Sequence, residues 1–135
     1  MSKLETFYIQ WSPRLLSVLR MVTAFLFVQH GSMKILGFPP SEAFAGLKLF
    51  SLIGLAGVLE LVGGLLVLLG LFTRPVAFIL SGEMAFAYFM THAPHGIDPV
   101  LNHGELAVLY CFIFLYLSAS GSGVWSIDQV LHRRN

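Results

Sequence analysis

Apolar residues fall into four long runs separated by short polar breaks, and each run approaches the ~20 residues that cross ~30 Å of hydrocarbon as a helix. The runs cover approximately residues 13–36, 49–72, 75–91 and 102–118. Ser12 followed by Pro13 predicts the start of the first helix, a capping hydroxyl ahead of a first-turn proline. Gly37, Pro39 and Pro40 end it. The second and third runs carry one charge each, Glu60 and Glu83, and the fourth is charged only at its start, at Glu105. The pattern predicts an all-α fold: an integral membrane four-helix bundle in a single domain spanning residues 1–135.

Apolar side chains at helical spacing also mark the two ends. Leu4, Phe7, Tyr8 and Trp11 predict a short interfacial helix near 3–11, and Ile127, Val130 and Leu131 predict another near 126–133, with Ser126 and Gln129 spaced as a capping box. A further short helix is expected to begin at Ser41. The N-terminus lacks the basic region, short apolar core and small-residue site of a cleaved signal peptide, so the first run is read as a permanent span.

Composition excludes a soluble bundle. Charged residues make up 11% and hydrophobic residues 56% of the chain, too few polar positions to cover the outer face of each helix. A net charge of +1 gives no basic stripe for nucleic acid. Lysines and arginines are uneven about the spans: Lys3, Arg14, Arg74, Arg133 and Arg134 fall on the N-terminal side and Lys34 and Lys48 on the other. That excess places the N- and C-termini in the cytoplasm, with Trp11 and Trp125 at the same interface. Cys111, the single cysteine, excludes an internal disulfide or thiolate relay. The twelve phenylalanines read as packing and lipid-facing residues.

Ionisable residues inside spans are costly, and they form the candidate chemistry. Arg20, Ala24, Phe27, Gly31 and Lys34 repeat at 4-3-4-3 spacing on one stripe, with His30 beside it. Gly57 and Gly64 flank Glu60 on one face, so Glu60 is expected to point inward where another helix comes close. At ~1.5 Å per residue, Arg20 lies ~10 Å, Glu83 ~12 Å and Glu60 ~18 Å from the cytoplasmic helix ends. This predicts an inner layer in which Arg20 pairs with Glu60, Glu83 or both, either as a register-fixing pair or as a proton or ligand site. An outer layer of His30, Lys34, His103 and Glu105 is expected to converge under the loop that carries His92, His95 and Asp98, a mouth for a polar headgroup or ligand. His30, His92, His95 and His103 lack the i, i+4 spacing of a metal site, and no metal is assigned.

The chain resembles the DoxX family of small four-helix membrane proteins from just before Arg14 to about Asp128. The resemblance rests on Leu19-Arg20 and Gly31-x-x-Lys34, then Glu60-Leu61-Val62-Gly63-Gly64 and Leu69-Gly70-Leu71-x-Thr73-Arg74. Asn102-x-Gly104-Glu105 and Gly121-x-Gly123-x-x-Ser126-x-Asp128 complete it. The resemblance implies a bacterial inner-membrane location and a redox-associated subunit that binds a quinone and serves a membrane or peripheral redox partner. On that reading Lys34, His30 or Glu105 would hydrogen-bond a quinone oxygen, while Glu60 or Glu83 would manage protons. It does not imply independent catalysis. Two alternatives stay open: a non-enzymatic scaffold or assembly factor, and proton or small-solute transport along Arg20, Glu60 and Glu83 in a homo-oligomer.

Overall fold

The computed structural model describes residues 1–133; Arg134, counted above among the cytoplasmic charges, and Asn135 lie outside the described residues. The elements are α1 (Lys3–Ile35), α2 (Leu52–Leu69), α3 (Thr73–Ala87), α4 (Glu105–Ser120) and α5 (Ile127–His132). A π-helical turn, Tyr88–His92, and a 3-10 turn, Ala93–His95, prolong α3. Three helical stretches are long and apolar enough to cross a membrane: Lys3–Ile35, Leu52–Leu69 and Thr73–His95. The fourth apolar helix, α4, is shorter at 16 residues.

The first helix starts earlier than its Ser-Pro signal suggests. Its cap is Ser2, whose hydroxyl accepts from the Glu5 backbone N–H at 3.2 Å while the Glu5 carboxylate accepts from the Ser2 N–H at 2.7 Å. The interfacial helix expected over 3–11 is therefore the first third of one 33-residue helix. Pro13 sits inside it and removes one helical hydrogen bond. The Pro13 carbonyl turns to account elsewhere, accepting from Ser17 Oγ at 3.0 Å and Val124 N at 3.4 Å. At ~1.5 Å per residue α1 is ~50 Å long, well beyond the ~30 Å of a hydrocarbon core.

The helices pack as two antiparallel hairpins, α1 against α2 and α3 against α4, joined mainly through α2 and α3, with α1 and α4 touching sparsely. Glycine sets the α1–α2 approach. A Cβ on Gly31 would lie 2.3 Å from Leu61 N, and one on Gly57 would lie 2.8 Å from Lys34 Cβ. Between the hairpins Phe27 packs edge to face against Tyr110 and Phe114, at centroid distances of 5.1 and 4.8 Å, and those two rings stack on each other. Leu80, Leu117 and Val67 complete a buried core, while phenylalanines such as Phe25, Phe78 and Phe112 face outward.

A strap after α4 ties the ends of three helices together. Gly70 caps α2 at φ 68°, and its carbonyl accepts from Asp128 N at 2.8 Å. The Asp128 carboxylate in turn caps α3, accepting from Phe72 N at 2.8 Å and Thr73 N at 2.9 Å. Arg74 donates to the Ser118 and Ala119 carbonyls at the end of α4. Ser126 caps α5 by accepting from Gln129 N. The segment after Ser41 forms only a 3-10 turn, Glu42–Phe44.

Candidate functional site

Arg20 is fully buried, yet its partners are not the glutamates expected for it. Its guanidinium donates to four backbone carbonyls: Val67 and Leu68 at 2.6 Å, Ser122 at 2.7 Å and Trp125 at 2.5 Å. The physical reason lies in helix ends. At the end of α2 the Leu68 carbonyl lacks an intrahelical donor and that of Val67 has only the capping Gly70 N–H at 3.0 Å, and the helix dipole makes that end negative, so a five-donor cation is well matched to it. Arg20 therefore belongs to the strap, with Asp128 as the carboxylate in Coulombic range.

Glu60 is paired instead with Lys34, whose Nζ lies 2.6 Å from both carboxylate oxygens. Lys34 was expected in the outer layer, since its Cα is one residue from the end of α1. Its long stem reaches inward across Gly57, one turn from Glu60, and the two side chains are 14% and 5% exposed. This is the one ion pair among the described residues.

Glu83 completes the arrangement. Gly63 of α2 faces Leu80 of α3, and because these helices run antiparallel, Glu60 and Glu83 sit level one turn further along. Glu83 lies within Coulombic range of both Glu60 and Lys34. Both its carboxyl oxygens are buried and have no hydrogen-bond partner. His30, one turn from Lys34 on α1, stands edge-on to the Tyr110 ring of α4 at 6.0 Å. The electrostatic neighbours of His30 are again Glu60 and Lys34, and Tyr110 lies in range of Glu60. All four long helices thus contribute: His30 and Lys34, Glu60, Glu83, and Tyr110.

His103 and Glu105 are not brought to this cluster. Both are exposed, because α4 starts only at Glu105 and His103 occupies a left-handed position (φ 59°) in the loop before it. The informative residue of that motif is Asn102. Its side-chain amide donates to Tyr88 Oη at 3.2 Å and the Gly96 carbonyl at 2.6 Å, and its oxygen accepts from Gly104 N at 2.8 Å. The Asn102 backbone carbonyl meets His92 Nδ1 at 3.1 Å. His92 is therefore drawn into a structural knot, while His95 and His103 are exposed. Among the described residues no three His, Cys, Asp or Glu side chains gather as a metal-sized cluster.

Tyr110 was not legible in the sequence, an aromatic residue inside an apolar run with no polar neighbour to mark it. Chemically, the cluster offers a mutually satisfied ion pair beside a carboxyl group with its hydrogen-bonding capacity unused. Such a group can hold a proton or bond a small ligand that presents a hydroxyl or carbonyl oxygen.

The DoxX family model matches residues 15–93. A Haemophilus influenzae protein bearing the description "Uncharacterized protein" is 44% identical over 129 residues, covering 93% of this chain and 96% of its own length. The Escherichia coli "Inner membrane protein YqjF" is 30% identical over 122 residues, covering 87% of this chain and 92% of its own. No solved structure matches the chain.

Proposed function

The chain belongs to the DoxX family, and on that premise we propose that it is a non-catalytic inner-membrane subunit that holds a quinone-type ligand at Glu83 and serves a redox partner. It is a multi-pass membrane protein, and the inner membrane follows from the family and the YqjF relative. In this reading α4 is the fourth span and both termini face the cytoplasm.

The observation that carries the reading is the pair of buried, unpartnered Glu83 oxygens. A buried polar group without a partner costs roughly 1–3 kcal/mol. A lipophilic ligand whose oxygens hydrogen-bond to Glu83 offsets that cost and fits a bundle bathed in hydrocarbon. The residues that suit a quinone are Glu83 as the contact, the neutral Lys34–Glu60 pair beside it, and Tyr110 and His30 as flanking rings. His103 and Glu105, expected on sequence grounds to contribute, do not suit it. A quinone supplies two-electron chemistry when bound. The chain's own share is to hold the ligand and a proton at the Glu83 carboxyl.

Purification from native membranes followed by mass spectrometry of the extracted small molecules tests this, against an unrelated four-span protein prepared identically. Near-stoichiometric quinone is expected, falling roughly tenfold in Glu83→Leu, as loss of a strong hydrogen bond implies, and unchanged in Glu105→Gln. Quinone no higher than in the control sinks the reading. A scaffold role is the second reading, favoured by how fully Arg20, Arg74 and Asp128 are committed to backbone groups. It predicts a stable partner in native pull-downs that survives Glu83→Leu.

A further inference from the structure

α1 is longer than the membrane it crosses. Counting ~20 residues back from Ile35 places the hydrocarbon edge on the N-terminal side near Leu16, with Arg14 just outside it. The arm from Lys3 to Arg14 rises ~16 Å beyond that edge, well past the ~5–7 Å of a headgroup layer. Tilting does not submerge it. Fitting ~50 Å of helix into ~30 Å of hydrocarbon exceeds the ~40° limit of membrane helices, and it would leave α2, ~27 Å long, short of the far side. α1 stays helical through Pro13, so the arm does not lie flat in the interface either.

One face of the arm is nonetheless apolar. Leu4, Tyr8, Trp11 and Leu15 fall at 4-3-4 spacing, and the same repeat continues through Val18, Val22 and Phe25 in the hydrocarbon. That is the a/d spacing of a coiled coil, held for about three heptads. Every residue of this seam is between 40% and 60% exposed, because the face bearing Ser17, Arg20, Ala24 and Phe27 is the one packed into the bundle. The charged residues of the arm, Lys3, Glu5 and Arg14, fall off the seam. The Phe7 ring lies 5.9 Å from those of both Tyr8 and Trp11, which holds the aromatic part of the seam in one arrangement.

Lipid covers the seam within the hydrocarbon, but water meets it along the arm. An occupant that covers both stretches is a helix that runs through one leaflet and out on the same side, and α1 is itself such a helix. Copies of one membrane protein insert the same way up, so two seams meet parallel and in register about a two-fold axis along the bilayer normal. At roughly 100 Å² of exposed surface per seam residue, the contact buries roughly 1,400 Å² over two chains, within the range of stable interfaces. We propose that this chain is a parallel homodimer joined through α1 along the seam from Leu4 to Phe25. The interface lies apart from the Glu83 cluster, and neither depends on the other.

Cysteine cross-linking of the full-length protein in native membranes tests the register. Leu4→Cys and Leu15→Cys, each in a Cys111→Ala background, are oxidised beside Ile9→Cys and Gln10→Cys, which are exposed on the same helix but off the seam. Disulfide-linked dimer roughly tenfold more abundant at the two seam positions is expected, since only there do the Cβ atoms of two copies come within bonding reach. Equal cross-linking on and off the seam overturns the proposal, as does the absence of dimer at both seam positions or an adduct containing a different protein. Tyr8→Asp sets like charges against each other and should weaken the dimer about tenfold or more by native mass spectrometry, while Ile9→Asp leaves it unchanged. A dimer that Tyr8→Asp leaves intact overturns the proposal as well.

Discussion

Replacing Arg20 by alanine would leave the carbonyls of Leu68, Ser122 and Trp125 without this donor, and that of Val67 with only the Gly70 N–H at 3.0 Å. Hydrogen bonds to a charged group contribute ~1.5–3 kcal/mol each, so a loss of at least ~3 kcal/mol is expected, read as a lowered Tm in detergent. Arg20→Lys should recover only part, because an ammonium cannot spread donors over four acceptors as a guanidinium does. Lys34→Met strands the Glu60 carboxylate and should cost ~3–5 kcal/mol, whereas Lys34→Met/Glu60→Leu should restore much of it; equal damage in single and double variants would argue against the pair. That Arg20 and Glu60 point inward was legible from spacing and flanking glycines. Their partners were not. Carbonyls carry no sequence signature, and Lys34 looked peripheral until the length of its stem and the room above Gly57 were known.

The helices were legible as elements because apolar runs of this length have one natural reading, but their ends were not. Ser12-Pro13 looks like a start signal, and the Ser2–Glu5 capping box overrides it by letting the helix begin upstream and run through the proline. α4 begins later than its apolar run because Asn102 folds the preceding residues into the loop. The hairpin contact between α1 and α2 offers a paired prediction. Gly31→Ala places a methyl against the Leu61 backbone and should destabilise by ~1–3 kcal/mol, as overpacking does. Gly82→Ala in α3 meets nothing within 4 Å and should be neutral or stabilising by up to ~1 kcal/mol, since alanine orders a helix more readily than glycine. Thermal denaturation of the two variants side by side separates close approach from glycine content.

The molecule as a whole is two hairpins whose cytoplasmic ends, in the proposed topology, are gathered by residues 121–128. Single cysteines placed at positions 3 and 132, in a Cys111→Ala background, should both react with an impermeant maleimide only when the cytoplasmic side is open; labelling of either from outside would refute the shared orientation. Four-helix content and family were readable from the order of the motifs. The cluster joining α1 to α4 was only partly so, since the level match between Glu60 and Glu83 depends on which helices are neighbours. The strap also gives assembly an order in time. During synthesis Arg20 reaches the bilayer early, and Val67 and Leu68 can receive it once α2 is inserted. Its other two acceptors, Ser122 and Trp125, lie 102 and 105 residues further along the chain. A buried arginine thus waits, half satisfied, until residues 122–125 have been made. Chains released before Gly121 leave Arg20 short of two acceptors and should be degraded faster in pulse-chase labelling than chains that extend through Trp125, so that the strap tests its own synthesis.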